Sequence, residues 1–247
     1  MNNLKSVPVF VVNLDTDIRR REKIELQFSS LSNFDLRLIR ALDGRCLPTS
    51  ACVALVQNNE WALRKGTIAC FLSHVRAWEE IAKISEPFAI VLEDDVLVEK
   101  LVEIFDIEVP TDAELIFLND HASAHEETGN SIETRPIWRA LQNMDRVRPG
   151  GPGAYGYLLT PIAARKLIYA CSQDLFFGHV DGRLLRYATT EDDLDMLDPD
   201  TWIGEIIRNH HSRILVPKIG IVKSYCLTRP LVRHIGLDST RDIADNE

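Results

Sequence analysis

The chain has 247 residues, of which 45% are hydrophobic and 26% are charged. This composition is typical of an ordinary globular protein with a substantial core, and the length fits one large domain or two small ones. The net charge of −9 argues against broad nucleic-acid binding, because that function needs a positive field. A local basic pocket for a phosphorylated small molecule stays compatible with this charge.

The cysteines and the apolar runs bear on the compartment. Five cysteines are scattered along the chain without a C-x-x-C pair, which argues against a disulfide framework or a zinc site. We interpret them as small buried hydrophobic residues. No apolar run approaches the ~20 residues of a membrane span, and the first predicted strand leaves no room for a signal peptide. We therefore expect a cytoplasmic protein, with peripheral contact at the inner membrane left open.

The first predicted elements are a strand, a helix and a second strand. Residues 7–12 form a buried strand, and a side chain among residues 15–17 can cap the helix that follows. Residues 19–21 are all arginine, although cations are disfavoured in the first turn of a helix. Either they pair with glutamates of the same helix, or they await an anion at the carboxyl end of the strand. Residues 34–42 are predicted as the second strand.

Two helices are predicted next, over residues 50–57 and 66–83. The longer one carries a stripe of small residues, which allows a neighbouring segment or a ligand to approach closely. The stripe consists of Gly66, Cys70, Ser73 and Ala77. His74 lies beside it, and a single histidine at such a place is by default a hydrogen-bonded structural residue.

The central feature is a run of apolar residues, 88–92, followed directly by Glu93, Asp94 and Asp95. The run indicates a strand buried on both faces, which cannot enclose three charges. The acids are therefore expected at the carboxyl end of the strand, where open α/β sheets bind ligands. Oxygen ligands of this kind suit Mg²⁺ or Mn²⁺. The alternative is a solvated acidic turn that caps a helix.

The rest of the chain continues the alternation of strands and helices, which indicates an α/β fold. The predicted strands are residues 114–119, 154–159, 214–217 and 220–223. A helix is predicted from Pro161 to residue 169, and the acidic residues 191–200 are interpreted as a solvated loop. We find no clean linker, so we expect residues 1–247 to form a single domain.

Six stretches along most of the first 181 residues carry a family resemblance. They are VVNL at 11–14 with the arginines after it, ALDG at 41–44, KGTIACFLSH at 65–74, IVLEDD at 90–95, GAY at 153–155 and VD at 180–181. In this order they resemble glycosyltransferase family 25, which includes bacterial lipooligosaccharide galactosyltransferases and collagen galactosyltransferases. PLVRH at 230–234 resembles the closing motif of the family, with His234 where the family has glutamine.

The resemblance implies a GT-A-like, Rossmann-related fold with a mixed, mostly parallel sheet flanked by helices. It also implies a UDP-sugar donor, commonly UDP-galactose, and inversion at the anomeric carbon. Residues 1–120 would bind the donor, and residues 121–247 would form the acceptor side and a closing segment. The implied metal is Mn²⁺ or Mg²⁺, with Asp95, Glu93 and His234 as ligands. The implied donor contacts are Asn13, Arg20, Asp43, Ser73, His74, Glu93, Asp94 and Tyr155.

Inversion requires a base for the acceptor hydroxyl, and we assign it to Asp181, with Asp120 in reserve. Asp181 has the alternative of a helix N-cap, and Tyr155 that of a core aromatic residue. The implied function is transfer of a hexose, galactose by resemblance, to a glycan or lipid-linked glycan in cell-surface polysaccharide or lipooligosaccharide biosynthesis. A metal-dependent nucleotidyltransferase or phosphoesterase, and a non-catalytic nucleotide-sugar-binding protein, are the alternatives.

Overall fold

The computed structural model describes residues 6–56, 64–129, 131–147, 153–174, 179–198 and 220–235. The helices are α1 (Ile18–Phe28), α2 (Thr49–Val56), α3 (Lys65–Ile81), α4 (Trp138–Val147), α5 (Pro161–Gln173), α6 (Val180–Ala188) and α7 (Glu191–Asp195). The strands are β1 (Val7–Asn13), β2 (Phe34–Arg40), β3 (Ala89–Glu93), β4 (Val96–Leu97), β5 (Leu115–Phe117), β6 (Thr134–Pro136), β7 (Gly156–Leu159), β8 (Ser224–Leu227) and β9 (Arg233–His234). Among these elements, no helix is long and apolar enough to cross a membrane.

A seven-stranded sheet in the order β2-β1-β3-β7-β5-β8-β6 forms the centre of the described part of the chain. β1 is parallel to β2 and β3, and β5 is parallel to β8. β7 runs antiparallel to β3 and β5, and β6 runs antiparallel to β8. Five strands therefore point one way and two the other. The predicted α/β class with a mixed, mostly parallel sheet is confirmed.

Both faces of the sheet are covered by apolar side chains, as the continuous apolar run of β3 predicts. Ala89 and Val91 face one hydrophobic cluster, which contains residues of α3, α5 and α6. Ile90 and Leu92 face a second cluster, which contains residues of α1. Successive residues of a strand point to opposite faces, so one strand contributes to both cores. Polar groups are thereby confined to the ends of β3.

The parallel pairing of β1 and β3 brings their carboxyl ends to one edge of the sheet. Val12 is paired with Glu93, so Asn13 and the acids after Glu93 leave the sheet side by side. The segment after β2 returns to the same edge, where the amide of Ala41 donates to the carbonyl of Asn13 at 2.8 Å. The sequence motifs of the first half therefore converge at this edge.

In the second half of the chain two predictions are wrong, one helix was not predicted, and one predicted strand is not tested. Residues 191–200 are not simply a loop, because α7 begins there behind a capping box formed by Thr190 and Asp193. Acidic residues in a first turn favour a helix, but the high density of acidic residues was interpreted as a sign of a solvated loop. The predicted strand 220–223 is irregular, and the strand lies at β8 instead. Helix α4 was not predicted, and residues 214–217 lie outside the described residues.

Candidate functional site

The acids after β3 lie between two neighbouring cavities. The β2-side cavity, of about 720 Å³, is lined by residues at and after the ends of β1 and β2 and by residues of α1 and α3, among them Arg20, Asp43 and His74. The β7-side cavity, of about 790 Å³, is lined by Tyr155, Asp181 and His234, among others. Cys70, Glu93 and Asp95 line both cavities. These three residues therefore mark the junction of the two.

Asp94 is held by two donors from the first strand and helix. The Nδ2 atom of Asn13 donates to Asp94 Oδ2 at 2.7 Å, and Arg20 Nη1 donates to Asp94 Oδ1 at 3.1 Å. Burial raises the pKa of Asp94 to about 6, although both of these donors favour the ionised form. The Asp94 carboxylate thus ties β1 and α1 to the end of β3.

The contacts of Arg20 explain one of the three unexpected arginines of the first turn. Besides Asp94, its Nη1 atom lies 3.2 Å from Asp95 Oδ2. For Arg20, the interpretation that placed an anion at the strand end is therefore the closer of the two, and that anion is the acid cluster of the chain itself. Asp17 caps α1 by accepting from the backbone amide of Arg20, as the residues at 15–17 predicted.

Asp95 has one oxygen in ion pairs and one without a hydrogen bond. Its Oδ2 atom lies 3.2 Å from both Arg20 Nη1 and His234 Nε2. Its Oδ1 atom is buried and has no hydrogen-bond partner among the described residues. Burial alone would raise the pKa of this carboxyl, but the hydrogen bond and charge of His234, together with Arg20, hold it below its usual range.

The pairing of β4 with β9 places His234 beside Asp95. Val96 pairs with His234 in this small antiparallel sheet, and the amide of Ile235 donates to the carbonyl of Asp95 at 3.0 Å. The contact with Asp95 raises the pKa of His234. The C-terminal segment that was predicted to close the site therefore contacts the acid cluster.

Glu93 contacts the first of several buried polar side chains. Its Oε1 atom lies 3.4 Å from Nε2 of the fully buried His74. Nδ1 of His74 lies 3.0 Å from the hydroxyl of Tyr157, which also accepts from Trp78 Nε1 at 2.7 Å. His74 is thus hydrogen-bonded inside the protein, as its structural interpretation predicted, and its free edge faces Glu93.

Ser73 and Asp43 shape the wall of the β2-side cavity. The hydroxyl of Ser73 donates to the carbonyl of Ala69 at 2.6 Å and accepts from the amide of Leu42 at 2.8 Å. Asp43 accepts from the amide and guanidinium of Arg45, and this hydrogen bond lowers the pKa of its carboxyl. Ser73 holds the ALDG turn against α3, and Asp43 braces the turn from within, at the edge of the cavity.

Tyr155 contacts the reserve base Asp120 and the metal-ligand candidate His234. Its hydroxyl donates to Asp120 Oδ1 at 2.7 Å and accepts from the amide of His121 at 3.2 Å. Its ring meets the rings of His121 and His234 edge to face, with centroids 5.3 and 5.5 Å apart. Tyr155 is thus both a buried aromatic residue and part of the wall of the β7-side cavity.

Asp181 faces the β7-side cavity from the start of α6. The N-cap of this helix is His179, so the alternative that Asp181 is the N-cap is wrong. Asp181 lies in the first turn, where a carboxylate is favoured by the helix dipole, and its Oδ1 accepts from the amide of Gly182 at 2.9 Å. It lines the same cavity as Glu93, Asp95 and His234.

The structure brings all of the predicted site residues to the two cavities or into contact with a residue that lines them. Sequence reasoning did not select Cys70, Tyr157, His121 and His179 as site residues. One available signal was spacing, because Cys70 and His74 are four residues apart and therefore share a helix face. Tyr157 gave no such signal, since its contacts depend on β7 being inserted beside β3.

Comparison with known proteins gives one family. A sequence model of glycosyltransferase family 25 (LPS biosynthesis protein) matches residues 6–177. Procollagen galactosyltransferase 2 of Homo sapiens is 30% identical over 128 residues, which are 44% of this chain and 20% of that protein.

Two further relatives match shorter segments. Probable inactive glycosyltransferase 25 family member 3 of Bos taurus is 33% identical over 99 residues, which are 36% of this chain and 16% of that protein. Lipooligosaccharide biosynthesis protein lic2B of Haemophilus influenzae is 33% identical over 89 residues, which are 36% of this chain and 33% of that protein. The chain thus matches a third or less of the length of each of these three relatives.

Proposed function

Because this chain belongs to glycosyltransferase family 25, we propose that it transfers a hexose from a nucleotide sugar to a hydroxyl group of a glycan. The observation that carries the proposal is the acid cluster at the junction of two cavities. A two-substrate transfer needs a donor and an acceptor that meet at one reacting carbon. In our proposal the β2-side cavity holds the nucleotide and the β7-side cavity holds the acceptor.

The residues at the junction fit a divalent cation. The buried Oδ1 atom of Asp95 lacks a hydrogen bond within the described ranges, and leaving such an oxygen unsatisfied is costly. Carboxylate oxygens are the ligands that Mn²⁺ and Mg²⁺ prefer. Asp95, Glu93 and His234 would hold the ion, and an ion bound there would supply charge stabilisation to the leaving diphosphate.

The remaining roles follow from position. Asp43, Arg20 and Ser73 line the β2-side cavity and would contact or orient the nucleotide. Asn13 and Asp94 would support the donor site from behind, since their side chains bond to each other. His74 would orient Glu93, and Tyr155 would bound the sugar. Asp181 would take the proton of the acceptor hydroxyl, as inversion requires, with Asp120 behind Tyr155 as the alternative base.

The substrate classes are proposed from the relatives. The names of two relatives refer to a galactosyltransferase and to lipooligosaccharide biosynthesis. We propose UDP-galactose as donor and a cell-surface glycan or its lipid-linked precursor as acceptor. A cytoplasmic enzyme that meets a lipid-linked acceptor would contact the inner membrane peripherally. Arg229 and Arg233 of the C-terminal segment are the described cations for such a contact, and Arg241 lies outside the described residues.

The metal assignment is tested by calorimetric titration of UDP in the presence and absence of Mn²⁺. We expect Asp95→Ala to abolish the Mn²⁺-dependent part of UDP binding with little effect on unfolding temperature beyond that of the lost ion pairs. Asp35→Ala, at an exposed acid on β2, is the control and is expected to bind as the wild type does. Unchanged UDP affinity of Asp95→Ala in Mn²⁺ would remove Asp95 from the ion site.

The base is tested by turnover. We expect Asp181→Asn to keep donor affinity and to lose about 10²-fold or more in turnover, the usual range for a general base.

The products distinguish the other functions. Transfer releases UDP and a glycoside, whereas a nucleotidyltransferase or phosphoesterase would release pyrophosphate or phosphate. Donor binding without turnover on any glycan acceptor would favour a non-catalytic protein, and one relative is named as probably inactive.

A further inference from the structure

A thiol, an imidazole and a carboxylate meet at the junction of the two cavities. Ligand atoms of Cys70, His74 and Glu93 all lie within 4.8 Å of one another. Cys70 and His74 are one helical turn apart on α3, and Glu93 ends β3 opposite them. These three potential metal ligands lie up to 23 positions apart in the sequence. The packing of α3 against the sheet brings them together.

His74 is oriented as a metal ligand would be. The side chain is fully buried, and its Nε2 atom has no hydrogen-bond partner among the residues that the structure describes. That atom points at the cluster, 3.4 Å from Glu93 Oε1. Behind it, Nδ1 can donate to the hydroxyl of Tyr157 at 3.0 Å. Metal-binding histidines almost always donate their second ring nitrogen to such an acceptor, which leaves the first as a lone-pair ligand.

The donor set differs from that of the proposed Mn²⁺ or Mg²⁺ site. Carboxylate oxygens select hard cations, whereas a thiolate and an imidazole select zinc and related ions. Three protein ligands also leave the fourth tetrahedral position open toward the cavities. We propose that Cys70, His74 and Glu93 form a site for a thiophilic divalent cation of the zinc class. The sequence argued against a zinc site because its cysteines form no C-x-x-C pair. The proposed site does not need such a pair, since it uses a single cysteine.

The site has a consequence for turnover, which rests on the proposed function. Glu93 belongs to both ligand sets, so one ion at Cys70 and His74 competes with the other for the same carboxylate. Cys70 and Glu93 also line both cavities, so an ion between them lies where donor and acceptor are to meet. Zinc therefore acts as an inhibitor that Mn²⁺ antagonises.

Binding is tested with Co²⁺ as the probe, because a cobalt–thiolate bond gives a charge-transfer absorption that is independent of activity. The full chain is expected to show this absorption on titration with Co²⁺ and to lose it when Zn²⁺ is added. Cys70→Ser is expected to lack it, while Cys46→Ser, at an exposed cysteine, is expected to retain it. No absorption in the wild type, or its persistence in Cys70→Ser, overturns the proposal.

A second measurement on the unaltered protein covers the case in which Cys70→Ser does not fold. Zn²⁺ is expected to slow alkylation of Cys70 by iodoacetamide, followed by mass spectrometry of the digested protein, and to leave Cys46 unaffected. Equal alkylation of Cys70 with and without Zn²⁺ overturns the proposal. Tyr157→Phe, with its fold checked by circular dichroism, is expected to weaken Co²⁺ binding about 10–100-fold through loss of the acceptor for His74.

Inhibition is tested separately, as the ratio of transfer rates with and without Zn²⁺ at several Mn²⁺ concentrations. The wild type is expected to lose rate in Zn²⁺ and to regain it as Mn²⁺ rises, and the ratio in Cys70→Ser is expected to stay near one. Equal inhibition of both proteins overturns the inhibitory role. A protein that gives the cobalt–thiolate absorption but no transfer contradicts the proposed function and leaves the metal site standing.

Discussion

Among the residues that the structure describes, Arg20 is the cation that contacts both Asp94 and Asp95. Its side chain is only 12% exposed, so the two carboxylates and the guanidinium are largely removed from water together. Removing one member of such a group leaves an uncompensated buried charge, which is more costly than the pair is favourable. In the absence of metal, Arg20 therefore stabilises the folded state by compensating the charges of both acids.

We expect Arg20→Gln to lower the free energy of unfolding by about 3 kcal/mol, the low end of the range for broken buried pairs. The variant should gain more in unfolding temperature from Mn²⁺ than the wild type does, because a divalent cation can replace the lost charge. Arg40→Gln removes an arginine that is 77% exposed in its pair with Asp15 and is the control, with little expected change. Equal stability of the two variants by urea denaturation would contradict this role of Arg20.

The Asp95–His234 pair makes stability depend on pH in a defined window. The pKa of His234 is raised above 6.5, so its contribution is complete below pH 6.5 and is lost as pH rises through the raised value. The pKa of Asp95 is lowered below 3.8, so its contribution is complete above pH 3.8 and is lost as pH falls through the lowered value. Both contributions are present between pH 3.8 and pH 6.5.

His234→Gln tests this window in metal-free buffer. Near pH 5.5 we expect the variant to unfold about 2–4 °C lower than the wild type, since a pair whose histidine is still 32% exposed is worth about 1 kcal/mol. Near pH 9 the two unfolding temperatures should converge, because neutral imidazole no longer pairs with Asp95. His125→Asn, at an exposed histidine with φ of 52°, controls for loss of a histidine, and asparagine tolerates that conformation. A difference that is constant with pH would exclude the ion pair as its cause.

At the level of single residues, the sequence predicted where the acid cluster lies better than it predicted which residues contact it. Clustered acids after a buried strand must lie at its end, because the strand interior cannot hold them. The contact of Arg20 with those acids was one of two interpretations, and nothing local decided between them. Cys70 was missed because Glu93 becomes its neighbour only when α3 packs against the sheet, although its spacing from His74 was visible in the sequence.

Among the secondary-structure elements, α3 shows how the small-residue stripe shapes the site. A Cβ atom added at Gly44 would lie 2.8 Å from backbone atoms of Gly66 and Lys65. The turn after β2 can therefore approach the start of α3 only because residue 44 is glycine. Ser73 extends the same contact through the amide of Leu42. The stripe was predicted as a surface for close approach, and the approaching segment is the ALDG turn.

We expect Gly44→Ala to destabilise the protein by about 1–3 kcal/mol, because backbone on both sides must move apart. Gly182→Ala is the matched control. A Cβ atom at Gly182 meets nothing within 4 Å, and the residue lies inside α6, so alanine should stabilise by about 0.5–1 kcal/mol. The two substitutions should thus shift the urea midpoint in opposite directions. A shift of the same sign in both would show that the contact between Gly44 and Gly66 is not close.

Elements were predicted well where their pattern is local and poorly where it is not. The first three elements, β1, α1 and β2, follow from apolar periodicity and were predicted with small errors at their ends. The antiparallel direction of β7 has no local signal, since a short apolar strand reads the same in either direction. The strand after α7 was placed at residues 220–223 instead of Ser224–Leu227, because several short apolar segments there compete.

At the scale of the whole molecule, the order of strands interleaves the two halves that were expected to bind donor and acceptor. β7, from the second half, is inserted between β3 and β5, which both belong to residues 1–120. Its backbone pairs with both neighbours, Leu92 with Gly156 and Phe117 with Tyr157 among others. The strands of residues 1–120 are therefore incomplete without a strand of residues 121–247, in keeping with the expectation of a single domain.

This arrangement predicts that a fragment of residues 1–120 does not fold alone. Without β7, the edges of β3 and β5 would expose unpaired backbone groups, and both cores would lose one wall. We expect the fragment to lack a cooperative thermal transition by circular dichroism, and an equimolar mixture with residues 121–247 to recover one. The full chain should unfold in urea with coincident transitions by far-ultraviolet and near-ultraviolet circular dichroism, as a single cooperative unit does. A fragment that melts cooperatively by itself would divide the chain into two domains, and the junction of the two cavities would then be an interface between them.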